Sequence, residues 1–222
     1  MMRHLIIFTR APRLGRVKRR LASEIGAPAA LRFHRAMLTQ LARGIGRDPR
    51  WKVWLAITPD IQAKDGFNIF TDSALLKQGQ GDLGSRMANS FRALPPGPAV
   101  LVGSDIPDIR AVHIARAFAV LGRNEMVFGP ASDGGFWLVG LKRLRHPGGP
   151  HGRRLFTGID WEGPQVLNAT IRAMTISGGG RTRISYVDTL SDVDSAADYH
   201  HWRRLCSSRR GMISTKLQGL NR

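Results

Sequence analysis

The sequence predicts an α/β fold whose strands belong to a mostly parallel sheet. Three observations carry that reading. Ala99 to Val102 are all apolar and run straight into Gly103, Ser104, Asp105, Ile106 and Pro107. A short, continuously apolar run without alternation reads as a strand buried on both faces. Residues 4–9 (HLIIFT) and 136–141 (FWLVGL) have the same character. Between such runs lie helical patterns, as in Leu31, Met37, Leu38, Leu41 and Ile45, whose spacing puts one apolar stripe on a helix. A chain of 222 residues accommodates one such domain.

In chain order, the strand at 4–9 leads into Arg10-Ala-Pro-Arg-Leu-Gly-Arg-Val-Lys18, punctuated by Pro12 and Gly15. A helix begins within Val17 to Ile25 and stops at Gly26. Strand, Gly-containing basic loop and helix together form an arrangement that cradles phosphates. Neither the G-x-x-x-x-G-K-[ST] nor the G-x-G-x-x-G spacing is present, so a solvated basic turn stands as the alternative. Pro28 to Gly46 reads as a core helix, Trp51 to Thr58 as a second strand and Phe67–Phe70 as a short third one. Gly79, Gly81 and Gly84 then surround Asp82 and lead into a helix over Ser85 to Leu94. Arg86 sits in its first turn, where the helix dipole disfavours a cation. That position suits an Arg facing an anion, and the alternative is an ordinary Gly-rich loop with an Asp cap.

Asp105 falls just beyond the carboxyl end of the 99–102 strand, the edge where open α/β sheets bind ligands. A carboxylate there suits a hard divalent cation carrying phosphate oxygens, or merely starts a turn. Asp108 is expected to cap a helix ending at Gly122. Glu125–Gly129 reads as a strand, followed by Asp133-Gly134-Gly135 and the 136–141 strand. That Asp-Gly pair marks a hairpin turn, or pocket-lining backbone with Asp133 pointing inward. Residues 142–154 are basic and rich in Gly, Pro and His, and read as a mobile lid over an anionic substrate. Asp160 and Glu162 are two apart, so in an extended segment both carboxylates point the same way, fit for a shared metal or a general base. A helix over Gly163 to Met174 and a strand over Arg183 to Val187 follow. Asp188, Asp192, Asp194 and Asp198 then read mainly as acids at the start of a last helix.

The net charge is +18, which favours anionic partners. A generally basic composition accounts for the bulk of it, but not for Arg10, Arg13, Arg16, Lys18, Arg19 and Arg20 clustered before the first acid. Cys206 stands alone, which excludes an intramolecular disulfide and suits a reducing compartment. No run approaches the roughly 18 apolar residues of a membrane span, and the apolar stretch near Met1 is too short for a signal peptide. A cytoplasmic protein is expected. Its domain runs over 1–206, with a basic, flexible tail at 207–222, and a homodimer is left open.

The order R-A-P-x-x-G-x-V-K-x-R-L-A, Q-G-x-G-D-L-G-x-R-M, G-S-D-I-P-D, G-P-A-x-D-G-G-[FY]-[WY]-L-[VI]-G, L-F-x-G-I-x-W and L-x-D-V-D-[ST] runs from Arg10 to about Asp198. It resembles the bacterial radical-SAM/selenodomain-associated transferase 1 family. That family is related to the 2-phospho-lactate guanylyltransferases and, more distantly, the molybdenum-cofactor guanylyltransferases. The resemblance implies a three-layer α/β/α nucleotide-diphospho-sugar transferase fold (GT-A type), with an antiparallel piece near the 136–141 strand. It implies phosphate contacts from Arg10, Gly15, Arg16 and Lys18, and nucleotide contacts from Gly81, Asp82, Gly84, Arg86 and Ser104. Asp105 matches the metal ligand after the central strand, with Asp160 and Glu162 as a second carboxylate pair. Gly134, Gly135 and Phe136 fall on the substrate side. The pattern departs where K-T-R-L reads Lys18-Arg19-Arg20-Leu21, where the tandem aromatics are Phe136-Trp137, and where W-S-T reads Trp161-Glu162-Gly163. These changes leave the acceptor open.

The function expected from this is a Mg²⁺- or Mn²⁺-dependent transferase with a nucleotide-activated donor. In nucleotidyl transfer an anionic acceptor attacks the α-phosphorus of a nucleoside triphosphate. In glycosyl transfer a hydroxyl attacks a nucleotide sugar, with Asp133 or Asp160 as base. Lys18 and Asp105 are the remaining catalytic candidates. Of another class, nucleic-acid binding would use the basic loop and tail, but no aromatic-basic stacking platform is evident, which disfavours it. A non-catalytic nucleotide-binding fold is the last alternative.

Overall fold

β1 (His4–Arg10) occupies the middle of the sheet because Leu5, Ile6 and Ile7 are all fully buried, as the unbroken apolar run requires. The protein is described here from a computed structural model, in which residues 1–60, Phe70, 73–143, 155–177 and 182–206 are described. After β1 come α1 (Arg19–Ile25), α2 (Ala27–Gly44), β2 (Lys52–Thr58), β3 (Ala74–Lys77), α3 (Leu83–Arg92), β4 (Ala99–Gly103) and α4 (Ala111–Leu121). Next are β5 (Met126–Pro130), β6 (Phe136–Leu141), α5 (Val166–Ser177) and β7 (Ile184–Tyr186). Residues 196–206 are helical.

The sheet order is β3-β2-β1-β4-β6-β5-β7. β1 pairs in parallel with β2 and β4, β2 with β3, and β5 with β7. Among the described residues only β6 runs against its neighbours, β4 and β5, as expected of the FWLVGL segment. Alternation along the strands makes two cores. Leu5, Ile7, Leu55, Val100 and Val102 face Leu38 and Leu41 of α2 and Ile114 and Phe118 of α4. Ile6, Ala56, Leu101 and Phe128 face Met87 and Phe91 of α3 and Met174 of α5. The result is the three-layer α/β/α arrangement.

Several local expectations are corrected. β3 is an edge strand of which only Leu76 is buried, so it carries too little pattern to read. The strand expected at Phe67–Phe70 falls almost wholly outside the described residues, as do 144–154 and the tail at 207–222. Asp108 does not sit at the N-cap of α4. Arg110 does, and its N–H donates to His113 Nδ1 at 3.2 Å. Arg143, read as part of a mobile lid, is instead fully buried. It donates to the carbonyl oxygens of Leu94 at 3.0 Å and of Pro95 and Gly97 at 3.3 Å each.

Candidate active site

Parallel register brings Phe8 of β1 beside Gly103 of β4, so Thr9, Arg10, Ser104 and Asp105 emerge at one sheet edge. The Thr9 and Ser104 hydroxyls share a hydrogen bond of 2.8 Å, tying the two strand ends together. They open onto a cleft of about 930 Å³, with further lining from α1, α3, the β5–β6 turn and the segments at 161–164 and 192–194.

Lys18 is the cleft's best-anchored cation. Its Nζ lies 2.7 Å from Asp105 Oδ2 and 3.1 Å from Asp194 Oδ1, with the side chain only 8% exposed. Burial works against the ammonium, but Asp105 and then Asp194 outweigh it and hold its pKa above the ordinary value. Asp194 also takes Arg20 at 3.0 Å. It reaches the cleft because the chain after β7 returns across the sheet edge, where Val193 N–H donates to the Asp105 carbonyl at 3.2 Å. Asp192 lines the same cleft. Burial, and then the charge of Asp105, push its carboxyl up to about 6, with Asp133 and Asp194 adding to the effect and Lys18 opposing it. Asp105, Asp133, Asp192 and Asp194 thus form one acidic wall.

Arg10 and Arg86 add two further cations to the lining. Among the described residues neither makes an ion pair with a carboxylate. Arg86 is seated over the Phe8 ring at 5.5 Å, and its Nε donates to Gln78 Oε1 at 3.0 Å. Burial, and then the charge of Arg10, lower the Arg86 pKa, as expected of like charges facing one space. Phe136, Trp137 and Trp161 supply apolar lining, with Phe136 and Trp161 edge to face at 6.3 Å.

Of the residues singled out in the sequence, Arg10, Lys18, Arg86, Ser104, Asp105, Asp133, Gly135, Phe136 and Glu162 line the cleft. Gly15, Arg16, Gly81, Asp82, Gly84, Gly134 and Asp160 do not. Asp82 caps α3, accepting from Ser85 N–H at 2.8 Å. Gly84 is buried against Phe156 and Trp161. The Gly134 carbonyl accepts from Leu167 N–H at 3.1 Å in α5, and Asp160 accepts from Glu162 N–H at 3.1 Å. β5 and β6 form an antiparallel pair across the Asp133-Gly134 turn, and Asp133, exposed at the border of the cleft, accepts from Gly135 N–H at 2.9 Å. Among the described residues no three His, Cys, Asp or Glu side chains come together as a metal site, so Asp105, Asp160 and Glu162 do not form one cluster. Sequence reasoning missed Thr9, Gln78, Trp161, Asp192 and Asp194 as site residues. Only the D-V-D spacing pointed to the last two.

A family model described as an uncharacterized protein conserved in bacteria (DUF2064) matches residues 41–163. No curated protein matches the chain. A crystal structure from Desulfovibrio desulfuricans G20, provisionally described as a nucleotide-diphospho-sugar transferase, is 25% identical with a TM-score of 0.74, over 88% of this chain and 84% of that one. A 4-diphosphocytidyl-2C-methyl-D-erythritol synthase from Anaerococcus prevotii DSM 20548 is 10% identical with a TM-score of 0.58, over 89% and 94%. A CMP:2-keto-3-deoxy-manno-octonic acid synthetase complexed with CTP is 11% identical with a TM-score of 0.58, over 94% and 100%. The fold is therefore that of the nucleotide-diphospho-sugar transferases.

Proposed function

We propose, for a chain that belongs to the DUF2064 family of uncharacterized bacterial proteins, a divalent-metal-dependent nucleotidyl transfer in the cleft at the carboxyl ends of β1 and β4. The observation that carries this is the Lys18–Asp105 contact of 2.7 Å, in a cleft that Arg10, Arg86, Asp133, Asp192 and Asp194 also line. A nucleoside triphosphate needs cations for its phosphates and a carboxylate-held metal beside them. Arg10 and Arg86 would take phosphate oxygens, as unpaired guanidiniums do. Lys18 would stabilise the charge that develops on the departing pyrophosphate. The Thr9 and Ser104 hydroxyls hold the floor on which the phosphates would rest.

The donor set fits Mg²⁺ or Mn²⁺, because Asp105 and Asp192 offer hard carboxylate oxygens to one cleft, where they would hold the ion. Mg²⁺ usually takes one or two carboxylates and completes its shell with substrate phosphates and water, so Asp105 and Asp192 would suffice for a metal that arrives with the nucleotide. Bound there, such an ion neutralises phosphate oxygens. Asp194, committed to Lys18 and Arg20, would orient Lys18 rather than bind metal.

A second reading is glycosyl transfer from a nucleotide sugar. It is supported by Asp133, an exposed carboxylate on the cleft rim that can serve as base toward an acceptor hydroxyl. The 25%-identical structure described as a nucleotide-diphospho-sugar transferase favours it as well.

A thermal-shift panel decides between the two, since a ligand that binds only the native state raises the melting point. GTP, CTP, UTP, ATP, UDP-glucose and GDP-mannose are tested with and without Mg²⁺ or Mn²⁺, beside Asp105→Asn. Nucleotidyl transfer predicts a metal-dependent shift with one triphosphate that the variant loses. A shift confined to nucleotide sugars selects the second reading. No shift with any of them, or one indifferent to metal and to Asp105, overturns both.

A further inference from the structure

We infer that Gln78 is a positioning residue that holds the Arg86 guanidinium toward the cleft as a phosphate anchor free of any salt bridge among the described residues. This rests on the nucleotide reading of the cleft but names a residue outside that reading.

Gln78 is fully buried just beyond β3. Its Nε2 donates to the Thr9 and Ala56 carbonyl oxygens at 2.8 Å each, so it ties the ends of β1 and β2. Its Oε1 accepts from both Nε and Nη2 of Arg86. No flipped amide satisfies this environment, because two carbonyls face one end and guanidinium donors face the other. The backbone is fixed as well. Asp60 Oδ1 accepts from the N–H groups of Gln78 and Gly79 at 3.0 and 3.2 Å, and Asn89 Nδ2 donates to the Gln78 carbonyl at 3.2 Å.

The chemistry of the acceptor matters more than its position. A buried Glu or Asp behind Arg86 would orient the guanidinium and also cancel its charge. A carboxamide orients it without forming an ion pair; the one acid whose charge reaches the guanidinium, Asp60, makes no salt bridge with it and offsets its charge only in part. One edge of the planar fork is spent on Oε1, and Phe8 sits at 5.5 Å from Cζ, so the remaining N–H groups are available to the cleft that Arg86 lines. Arg10 presents a second guanidinium to the same space. The charge of Arg10 opposes that of the held Arg86 until a polyanion enters, which suits the di- or triphosphate of a nucleotide and not a monocarboxylate.

The test is calorimetric titration of metal-free inorganic tripolyphosphate into wild type, Arg86→Ala, Gln78→Met and the double variant. Each single change is expected to weaken binding about tenfold, and the double variant to bind no more weakly than Arg86→Ala. Wild-type affinity in Gln78→Met, or losses that multiply in the double variant, overturn the inference. Should Gln78→Met fail to melt cooperatively, Arg86→Lys decides. It keeps the charge but loses the two-pronged contact with Gln78 Oε1, and is expected to lose affinity as Arg86→Ala does; unchanged affinity overturns the inference. No binding by wild type sinks the phosphate reading and this inference with it. Wild-type binding untouched at Gln78 sinks this inference alone.

Discussion

Lys18 reaches Asp105 at 2.7 Å from a backbone in the left-handed region, φ 46° and ψ 54°. For a residue with a Cβ that conformation costs about 1–2 kcal/mol, and it places the side chain in the cleft at the start of α1. Replacing Lys18 by Ala or by Gly removes the ammonium equally, while Gly removes the strain. Lys18→Gly is therefore expected to be more stable than Lys18→Ala by about 1 kcal/mol, read from urea midpoints. Equal midpoints would show that the left-handed turn carries no strain.

The same lysine is expected to matter far more to turnover than to folding. Lys18→Met leaves Asp105 and Asp194 each about one-third exposed, where water screens their repulsion. With the donor that the thermal-shift panel identifies, kcat should fall about 10²- to 10³-fold. A variant retaining wild-type kcat would remove Lys18 from the chemistry.

Gly84 separates packing from nucleotide contact. A Cβ there would press on the Phe156 carbonyl oxygen and lie 2.7 Å from the Trp161 ring. Gly84→Ala is therefore expected to cost about 1–3 kcal/mol and to disturb Trp161, which lines the cleft. Thermal melts and tryptophan fluorescence measure the two effects. An unshifted melting point with weakened nucleotide binding would return Gly84 to the ligand.

The parts of this molecule that were legible are those in which one local pattern serves one purpose. The runs at β1, β4 and β6 are apolar because both faces are buried, and they read directly as strands. Asp105 was legible because it follows such a strand at once. Asp194 was not, because an acid before a helix looks like an ordinary cap, and its partner Lys18 lies 176 residues away. Gln78 opens the Q-G-x-G-D-L-G motif but carries no local sign of burial; its amide is held by carbonyls of two other strands. Gly84 and Asp82 were read for the nucleotide because a Gly-rich loop looks alike whether it admits a phosphate or a tryptophan.

Arg143 illustrates a basic residue that belongs to the core. Burial lowers its pKa to about 10, and it accommodates the carbonyls of Leu94, Pro95 and Gly97. Arg143→Leu leaves buried acceptors unmet, at about 1–3 kcal/mol for such a group. The melting point should drop by several degrees, with nucleotide binding at low temperature unchanged. A variant as stable as wild type would show that these contacts contribute nothing net.

Two buried histidines make stability depend on mild acid. Burial lowers the pKa of both His4 and His34 from the ordinary 6.5, although carbonyl contacts oppose it. His4 Nδ1 must stay unprotonated to accept the Trp54 indole N–H at 3.1 Å. A folded-state pKa below the unfolded one means that the unfolded chain binds more protons once pH drops through 6.5. Stability is then complete above that pH and is lost progressively below it. Urea unfolding at pH 7.5 and 5.0 should show the loss, and His4→Asn, which keeps an oxygen acceptor for Trp54, should lessen it. Equal stability at the two pH values in wild type, or a His4→Asn loss as large as that of wild type, would place the acid sensitivity elsewhere.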